Sequence, residues 1–426
     1  MRLLYILVAY LLAPVVAGVM LFRGLRDRSY WRDFSQRFGF GPTLTGERSL
    51  WVHAVSVGEV QAAAPLVEAL LKTYPQLPLV LTTVTPTGAD RARALFGSRV
   101  HVRYIPYDLP GSVARFFARI RPRLVIILET EIWPTLYHAC GRRKIPLVLA
   151  SARISPKSVG RYRLLTSLFR ETLSHGISIA AQGAADAERF RSIGANPART
   201  HVVGNIKFDF ALPTDIAVRG LALREWLGVT RPVWIAGSTH DGEDEQVVAA
   251  HRLVLQRQRD ALLVLVPRHP QRFADVAALL ERADIPFVTR SSRQPVLADT
   301  QVFLLDTLGE LLPFYAAADV AFVAGSLVPI GGHNLLEPAA LGKATLTGPH
   351  NFNSEDIAKL LIERGAVELV ADAAALGASV VRLLGDPSDR ERMAAAGRAV
   401  VDENRGAVAR LLPLLAPLLA PLLVDL

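Results

Sequence analysis

The chain repeats one device: a short apolar run, then a segment with the spacing of an amphipathic helix. From Ser49 the runs are LWVHAVS, LPLVLTTV, RVHVRYIPY, LVIILET, IPLVLASARI and HGISIAAQ, with helices expected from about Glu59 to Thr73, from about Gly88, and over ARFFARIRP. A strand that is apolar at nearly every position must be covered on both faces, and a helix after each strand supplies that cover. The pattern predicts a parallel, doubly wound α/β sheet. It loosens between Ala211 and Val229, then resumes with RPVWIAGS, ALLVLVPR, IPFVTR, QVFLLD, VAFVAGS and KATLTG, with helices over Asp244 to Arg257 and Phe273 to Arg282. At 426 residues the length suits two cores rather than one. The expected division is 1–24 for an anchor, 25–212 and 213–405 for two α/β domains, and 406–426 for an apolar tail. Two such domains would leave a central cleft between the carboxyl edges of their sheets, where ligands bind.

The two ends read differently from the body. Leu3 to Phe22 carries no charge and lies between Arg2 and Arg23, close to the ~20 residues that cross a bilayer. Arg23, Arg26, Arg28, Arg32 and Arg37 follow it and, by the positive-inside rule, predict a cytoplasmic body held to a membrane. A cleaved signal peptide shares the charged start and apolar stretch, but the crowd of arginines behind it argues against export. Lys and Arg exceed Asp and Glu by 48 to 39, and this excess suits an anionic lipid surface better than nucleic acid. The tail LLPLLAPLLAPLL is interrupted by Pro413, Pro417 and Pro421 and is too short to span, leaving packing on the body or contact with the bilayer surface. Cys140 is the only cysteine, so no disulfide forms within the chain and no thiolate cluster holds a metal.

Polar residues with chemical promise stand just after strands. In HAVSVGEV, Glu59 opens a helix, either capping it or serving as a general base for an alcohol nucleophile. LVIILETEIWP ends in Glu129 and Glu131, which alternation would point the same way if the strand persisted. GNIKFD offers Lys207 as a cation for an anionic substrate, or else forms an exposed strand. IAGSTHDGEDE places Ser238 and its neighbours between strand and helix, where free backbone donors could meet an anion. LVPRHPQRF delivers Arg268 and His269 to the same edge, and arginine binds phosphate bidentately. In GSLVPIGGHNLLEP, Gly325, Gly331 and Gly332 would let backbone approach a ligand, Asn334 would cap a helix, and Glu337 would accept from ribose hydroxyls. The sequence has no P-loop, no early G-x-G-x-x-G and no H-E-x-x-H, so neither an ATPase, a classical dinucleotide enzyme nor a zinc hydrolase is indicated.

Taken together and in this order, WVHAVSVGEV, LETEIWP, GNIKFD, AGSTHDGEDE, VPRHPQRF and GGHNLLEPAALGKATLTGPHNFN resemble the 3-deoxy-D-manno-octulosonic acid (Kdo) transferases of lipopolysaccharide synthesis. The resemblance runs from about residue 30 to 400. It implies a GT-B glycosyltransferase fold, an N-terminal domain for the lipid A precursor and a C-terminal domain for CMP-Kdo. It implies transfer of Kdo to the 6′-hydroxyl of lipid IVA at the cytoplasmic face of the inner membrane, without a cofactor or metal. By motif, Glu59 resembles the catalytic base, and Glu129 or Glu131 a second acidic site. Lys207, Ser238, Arg268, His269, Gly325, Gly332, Asn334 and Glu337 fall on the donor side, with Arg23, Arg26, Arg28 and Arg32 toward the acceptor and membrane. Thr135 and Ser151 stand where the family usually has Asn, both on the acceptor side. The alternatives are a GT-B enzyme using a UDP-sugar, and a membrane-tethered nucleotide-sugar binding protein without turnover.

Overall fold

A computed structural model describes residues 2–46, 48–155, 166–173 and 176–420. The chain divides into two compact units, Met1–Ala211 with Asn404–Leu426, and Leu212–Glu403. The first unit holds strands β1 (Ser49–His53), β2 (Leu79–Thr83), β3 (His101–Tyr104), β4 (Pro122–Leu128), β5 (Leu147–Ala152), β6 (Ser178–Ala181) and β7 (Thr200–Val202), in the spatial order 3-2-1-4-5-6-7. In the second lie β8 (Val233–Thr239), β9 (Leu262–Pro267), β10 (Phe287–Thr289), β11 (Val302–Leu304), β12 (Val320–Val323), β13 (Ala344–Thr347) and β14 (Val367–Leu369), ordered 10-11-9-8-12-13-14. All recorded pairings are parallel. In each sheet the winding reverses at the first strand, so the loops after β1 and β4, and after β8 and β12, open at the crevice where doubly wound sheets take ligands.

The apolar runs form buried strands for the expected reason. Leu50 and Val52 face one helical layer, while Trp51 on the alternate face enters a second cluster with Val125 and Ile127 of β4. Helices form at Asp244–Arg257 and Phe273–Arg282, the bounds read from the periodicity. The helix after β1 begins at Val57, two residues earlier than expected.

The described part of the tail is a helix, Ala407–Leu419, despite Pro413 and Pro417 within it. Leu411, Leu415 and Leu419 are buried in the cluster that covers one face of β1, β2 and β4. Its first turn is held by Asp209, whose carboxylate accepts from the N–H groups of Gly406 (2.6 Å), Ala407 (3.3 Å) and Val408 (2.5 Å). Those N–H groups lack partners within the helix, so a carboxylate there both bonds them and meets the positive end of the dipole. Pro421 lies outside the described residues.

Candidate functional site

In the first unit, Ala54 to Ser56 carry the chain from β1 into the helix Val57–Thr73, and Glu59 sits in its first turn. Glu59 Oε2 accepts from the N–H of Val55 at 2.8 Å, so the residue does cap the turn. Its burial pushes the carboxyl up to about 7, against the Val55 hydrogen bond, with the charges of Glu129 and Glu131 adding to the rise and Lys207 opposing it. A carboxyl titrating near neutrality accepts a proton far more readily than one at its ordinary 4.5. Capping and basicity are compatible here.

β4 stops at Leu128, and Glu129 turns into the left-handed region at φ 55°. The alternation expected of Glu129 and Glu131 therefore fails, because the strand does not persist through them. Glu129 pairs with Lys207 Nζ at 2.8 Å. Glu131 is half-buried, which pushes its carboxyl up, and its main-chain oxygen accepts from the Tyr137 hydroxyl at 2.6 Å.

GNIKFD is a 3-10 turn over Ile206–Asp209 rather than a strand. Ile206 and Phe208 point inward, Asn205 Oδ1 accepts from the Lys207 N–H at 3.0 Å, and Ser151 Oγ accepts from the Ile206 N–H at 3.2 Å. This turn aims Lys207 at Glu129, so its ammonium compensates a carboxylate instead of standing free for a phosphate. Thr135 and Ser151, the two departures from the family pattern, are both buried. Ser151 Oγ is occupied as described, whereas Thr135 bonds Asp108 Oδ2 through its main-chain N–H at 2.9 Å, a contact that does not depend on its side chain.

The second unit gathers a different set. After β8, His240 lies with its ring nearly parallel to that of His333, at 9° and 5.0 Å between centroids, with the two Nε2 atoms 2.8 Å apart. Such a contact needs one nitrogen to donate and one to accept, so at least one ring is neutral. Burial lowers both histidines, and His333, which also faces His240, Arg268 and His269, is pushed down to about 3. His269 stands edge-on to His240 at 5.2 Å. Arg268 is exposed and has no ion-pair partner among the described residues.

Gly325, at φ 71°, combines the left-handed region with a close approach: a Cβ there would meet the His333 ring at 2.8 Å. Asn334 Oδ1 accepts from the Leu336 N–H at 3.1 Å, its Nδ2 donates to Glu337 Oε1 at 3.1 Å, and burial pushes the Glu337 carboxyl up.

Several expectations for this loop require correction. Ser238 belongs to β8, buried and left-handed at φ 67°, rather than to a loop after it. The N–H groups of Gly331 and Gly332 both donate to Gly325 O, at 3.1 and 2.7 Å, and the helix beyond them, Leu336–Ala340, has only 5 residues. Gly332 is needed because a Cβ would strike Asn351 Oδ1 at 2.5 Å, so the glycines receive the following loop rather than a ligand.

The backbone donors near Gly325 are also occupied, as is that of His240 in the IAGSTHDGEDE loop. Glu243, fully buried, accepts from the N–H groups of Gly325 (2.7 Å), Ser326 (2.9 Å), Leu327 (2.9 Å) and His240 (3.0 Å). The loop's anion site is filled by the protein's own carboxylate. Sequence reasoning did not single out Glu243, because its partners lie far along the chain, and the only local signal was its three-residue spacing from His240.

Of the arginines expected to face a membrane, Arg23, Arg26, Arg28 and Arg32 are exposed, with Arg32 pairing to Asp90 at 3.2 Å. Arg37 is not among them. It is buried, donates from Nη2 to Val84 O at 2.7 Å and lies 4.3 Å from the Tyr104 ring centroid, where it braces the end of β2.

Comparison with known proteins follows the same lines. Residues 32–210 match the family model described as 3-Deoxy-D-manno-octulosonic-acid transferase (kdotransferase). The 3-deoxy-D-manno-octulosonic acid transferase of Haemophilus influenzae is 40% identical over 417 residues, covering 97% of this chain and 98% of that one. Its counterpart from Bordetella pertussis is 39% identical over 426 residues, covering 95% and 96%. Among solved structures, a UDP-GlcNAc 2-epimerase from Neisseria meningitidis bound to UDP-GlcNAc aligns with a TM-score of 0.57 over 86% of this chain and 100% of that one. At 16% identity that likeness concerns the fold alone, which is GT-B, as the motifs implied.

Proposed function

The chain belongs to the 3-deoxy-D-manno-octulosonic acid transferase family and is a glycosyltransferase; from that premise we propose that it moves Kdo from CMP-Kdo to the 6′-hydroxyl of the tetraacylated lipid A precursor. The observation that carries the mechanism is Glu59, whose carboxyl is pushed up to about 7 beside Glu129, Glu131 and Lys207. Glu59 takes the proton of the acceptor hydroxyl as its oxygen bonds to the anomeric carbon of Kdo. The bond from that carbon to the CMP phosphate oxygen breaks, CMP leaves with the electron pair, and the proton stays on Glu59. Glu129, neutralised by Lys207, and half-buried Glu131 set the field around the base. Charge on the departing phosphate is met by Arg268, His269 and the N–H of the neutral His240–His333 pair, donors already in place when it develops. Asn334 and Glu337 receive the nucleoside, and no resident metal is required. By analogy with other glycosyl chemistry the transition state is oxocarbenium-like.

The acceptor is an amphiphile, and the helix Arg2–Arg26, 25 residues long with mean hydropathy 2.4 in its most apolar window, gives the enzyme a hold on the inner membrane. The body stands on the cytoplasmic side, with Arg23, Arg26, Arg28 and Arg32 toward anionic headgroups, each contributing about 1 kcal/mol.

The test is product mass after incubating purified enzyme in detergent with CMP-Kdo generated in situ and tetraacylated lipid A precursor. The reading requires a gain of whole Kdo units with wild type and a gain slower by at least about 10²-fold with Glu59→Gln. No gain from wild type that nonetheless binds CMP would overturn the acceptor assignment. Turnover with a UDP-sugar would overturn the donor.

A further inference from the structure

The N-terminal helix touches the body at both of its ends. At its start, the Tyr5 hydroxyl donates to Asp108 Oδ2 at 2.8 Å, and Arg2 Nε lies 3.8 Å from Glu171 Oε1. At its finish, Trp31 folds back so that its Nε1–H donates to Leu21 O at 3.0 Å, and its ring occupies the space a side chain at Gly24 would need. Gln36 then bonds the Tyr104 N–H at 3.0 Å, within the same unit.

A helix that crosses a bilayer holds its first and last turns on opposite sides of ~30 Å of hydrocarbon. Tyr5 cannot be there and also bonded to Asp108, a buried residue of the body. The covering along the helix agrees. Tyr5, Ile6, Ala9, Ala13, Ala17 and Met20 are half-buried and recur at helical spacing, while Leu3, Leu7, Leu11, Val15, Phe22 and Leu25 are exposed.

We propose that this helix lies in the plane of one leaflet, latched to the body by the Tyr5–Asp108 hydrogen bond, with its exposed apolar face sunk in a bilayer surface rather than crossing it. The proposal rests on the anchoring role given above. Its partner is a lipid surface because the exposed face is continuous and apolar, ends in Arg23, Arg26 and Arg28, and is flanked by Trp31, the composition of a helix seated at the headgroup boundary. The latch has a second consequence. Asp108 also accepts from the N–H groups of Thr135 (2.9 Å) and Leu136 (2.8 Å), at the start of the helix that follows Glu129 and Glu131. One carboxylate thus joins the membrane-seated helix to the segment bearing the site's acids.

The experiment uses the full chain carrying Cys140→Ala, reconstituted with its body outside sealed vesicles of phosphatidylethanolamine and phosphatidylglycerol. Arg2→Cys and Arg28→Cys are labelled separately with a membrane-impermeant maleimide. An in-plane helix gives labelling of Arg2→Cys from outside at a rate within a few-fold of Arg28→Cys. Labelling of Arg2→Cys only after detergent opens the vesicles means that the helix spans and overturns the proposal. Depth quenching of spin labels at Leu3→Cys, Leu11→Cys and Phe22→Cys supplies a second reading: equal depths support the in-plane helix, and a maximum at the middle position contradicts it. Failure of the wild-type chain to float with vesicles is a separate outcome, which removes the anchoring role itself and the proposal with it.

Discussion

The two units share a winding, yet they place opposite chemistry at the same edge. After β1 and β4 the first unit gathers Glu59, Glu129 and Glu131 around one lysine. After β8, β9 and β12 the second gathers His240, Arg268, His269 and His333, and the carboxylate that enters the group, Glu243, is turned away from ligand and spent on backbone N–H groups. A doubly wound sheet supplies the edge, and the residues after its strands decide what the edge can do. Burial, with neighbouring carboxylates adding to it, raises the affinity of Glu59 and Glu131 for protons and suits this edge to accepting one. Cations and neutral imidazoles make a holder of anions.

The sharpest way to break this contrast is to remove the proposed base, Glu59. Glu59→Gln keeps the shape and an acceptor for the Val55 N–H, and its turnover should fall by about 10²- to 10⁴-fold, the usual worth of a positioned proton acceptor. Single-turnover kinetics check this. A loss below tenfold would place the base elsewhere.

On the cationic side, Arg268→Ala should raise the KM for the donor by roughly 10- to 100-fold, the equivalent of one or two hydrogen bonds to a charged group. The thermal stability should stay near wild type, because Arg268 has no ion pair to lose among the described residues.

Glu243→Ala sharpens the comparison from the opposite direction, since it empties the loop's anion site and leaves four N–H groups without their acceptor. It should cost at least about 2 kcal/mol of stability, given ~1–3 kcal/mol for a buried unsatisfied group. Denaturant unfolding measures that cost, and an unchanged midpoint would show that the carboxylate is dispensable.

The pH dependence is the mildest effect. Glu59 must be ionised to accept a proton, so kcat/KM should rise as pH passes through about 7 and then level off. Stability should move the other way. The folded carboxyl holds its proton to about 7 while the unfolded one releases it near 4.5, so the Glu59 contribution declines across that interval as pH rises. Glu59→Gln should remove this decline, making the variant no less stable than wild type above pH 7. Stability measured across that range checks the sign.

Much of the first unit's edge was legible because local signals set it. Glu59 follows an apolar strand and opens a helix, a pattern visible within a dozen residues. The direction of Glu129 was not legible, since a left-handed turn at that residue is decided by its surroundings and not by alternation. Arg37 reads as one more surface charge in a basic run, yet it is buried against the Tyr104 ring and the Val84 carbonyl. Asp209 and Gly406 lie 197 positions apart, and Glu243 and Gly325 82 apart. No periodicity announces such pairs. The glycines of GGHN misled for a related reason: a glycine marks a close approach without saying what approaches, and here it is the loop from His350 to Asn353.

The division of labour between the units is tested most directly by calorimetric titration of CMP-Kdo into wild type, Glu59→Gln and Arg268→Ala. The account predicts that Glu59→Gln binds donor with the wild-type Kd despite its reduced turnover, and that Arg268→Ala binds at least tenfold more weakly. Lost binding in Glu59→Gln together with unaltered binding in Arg268→Ala would contradict it.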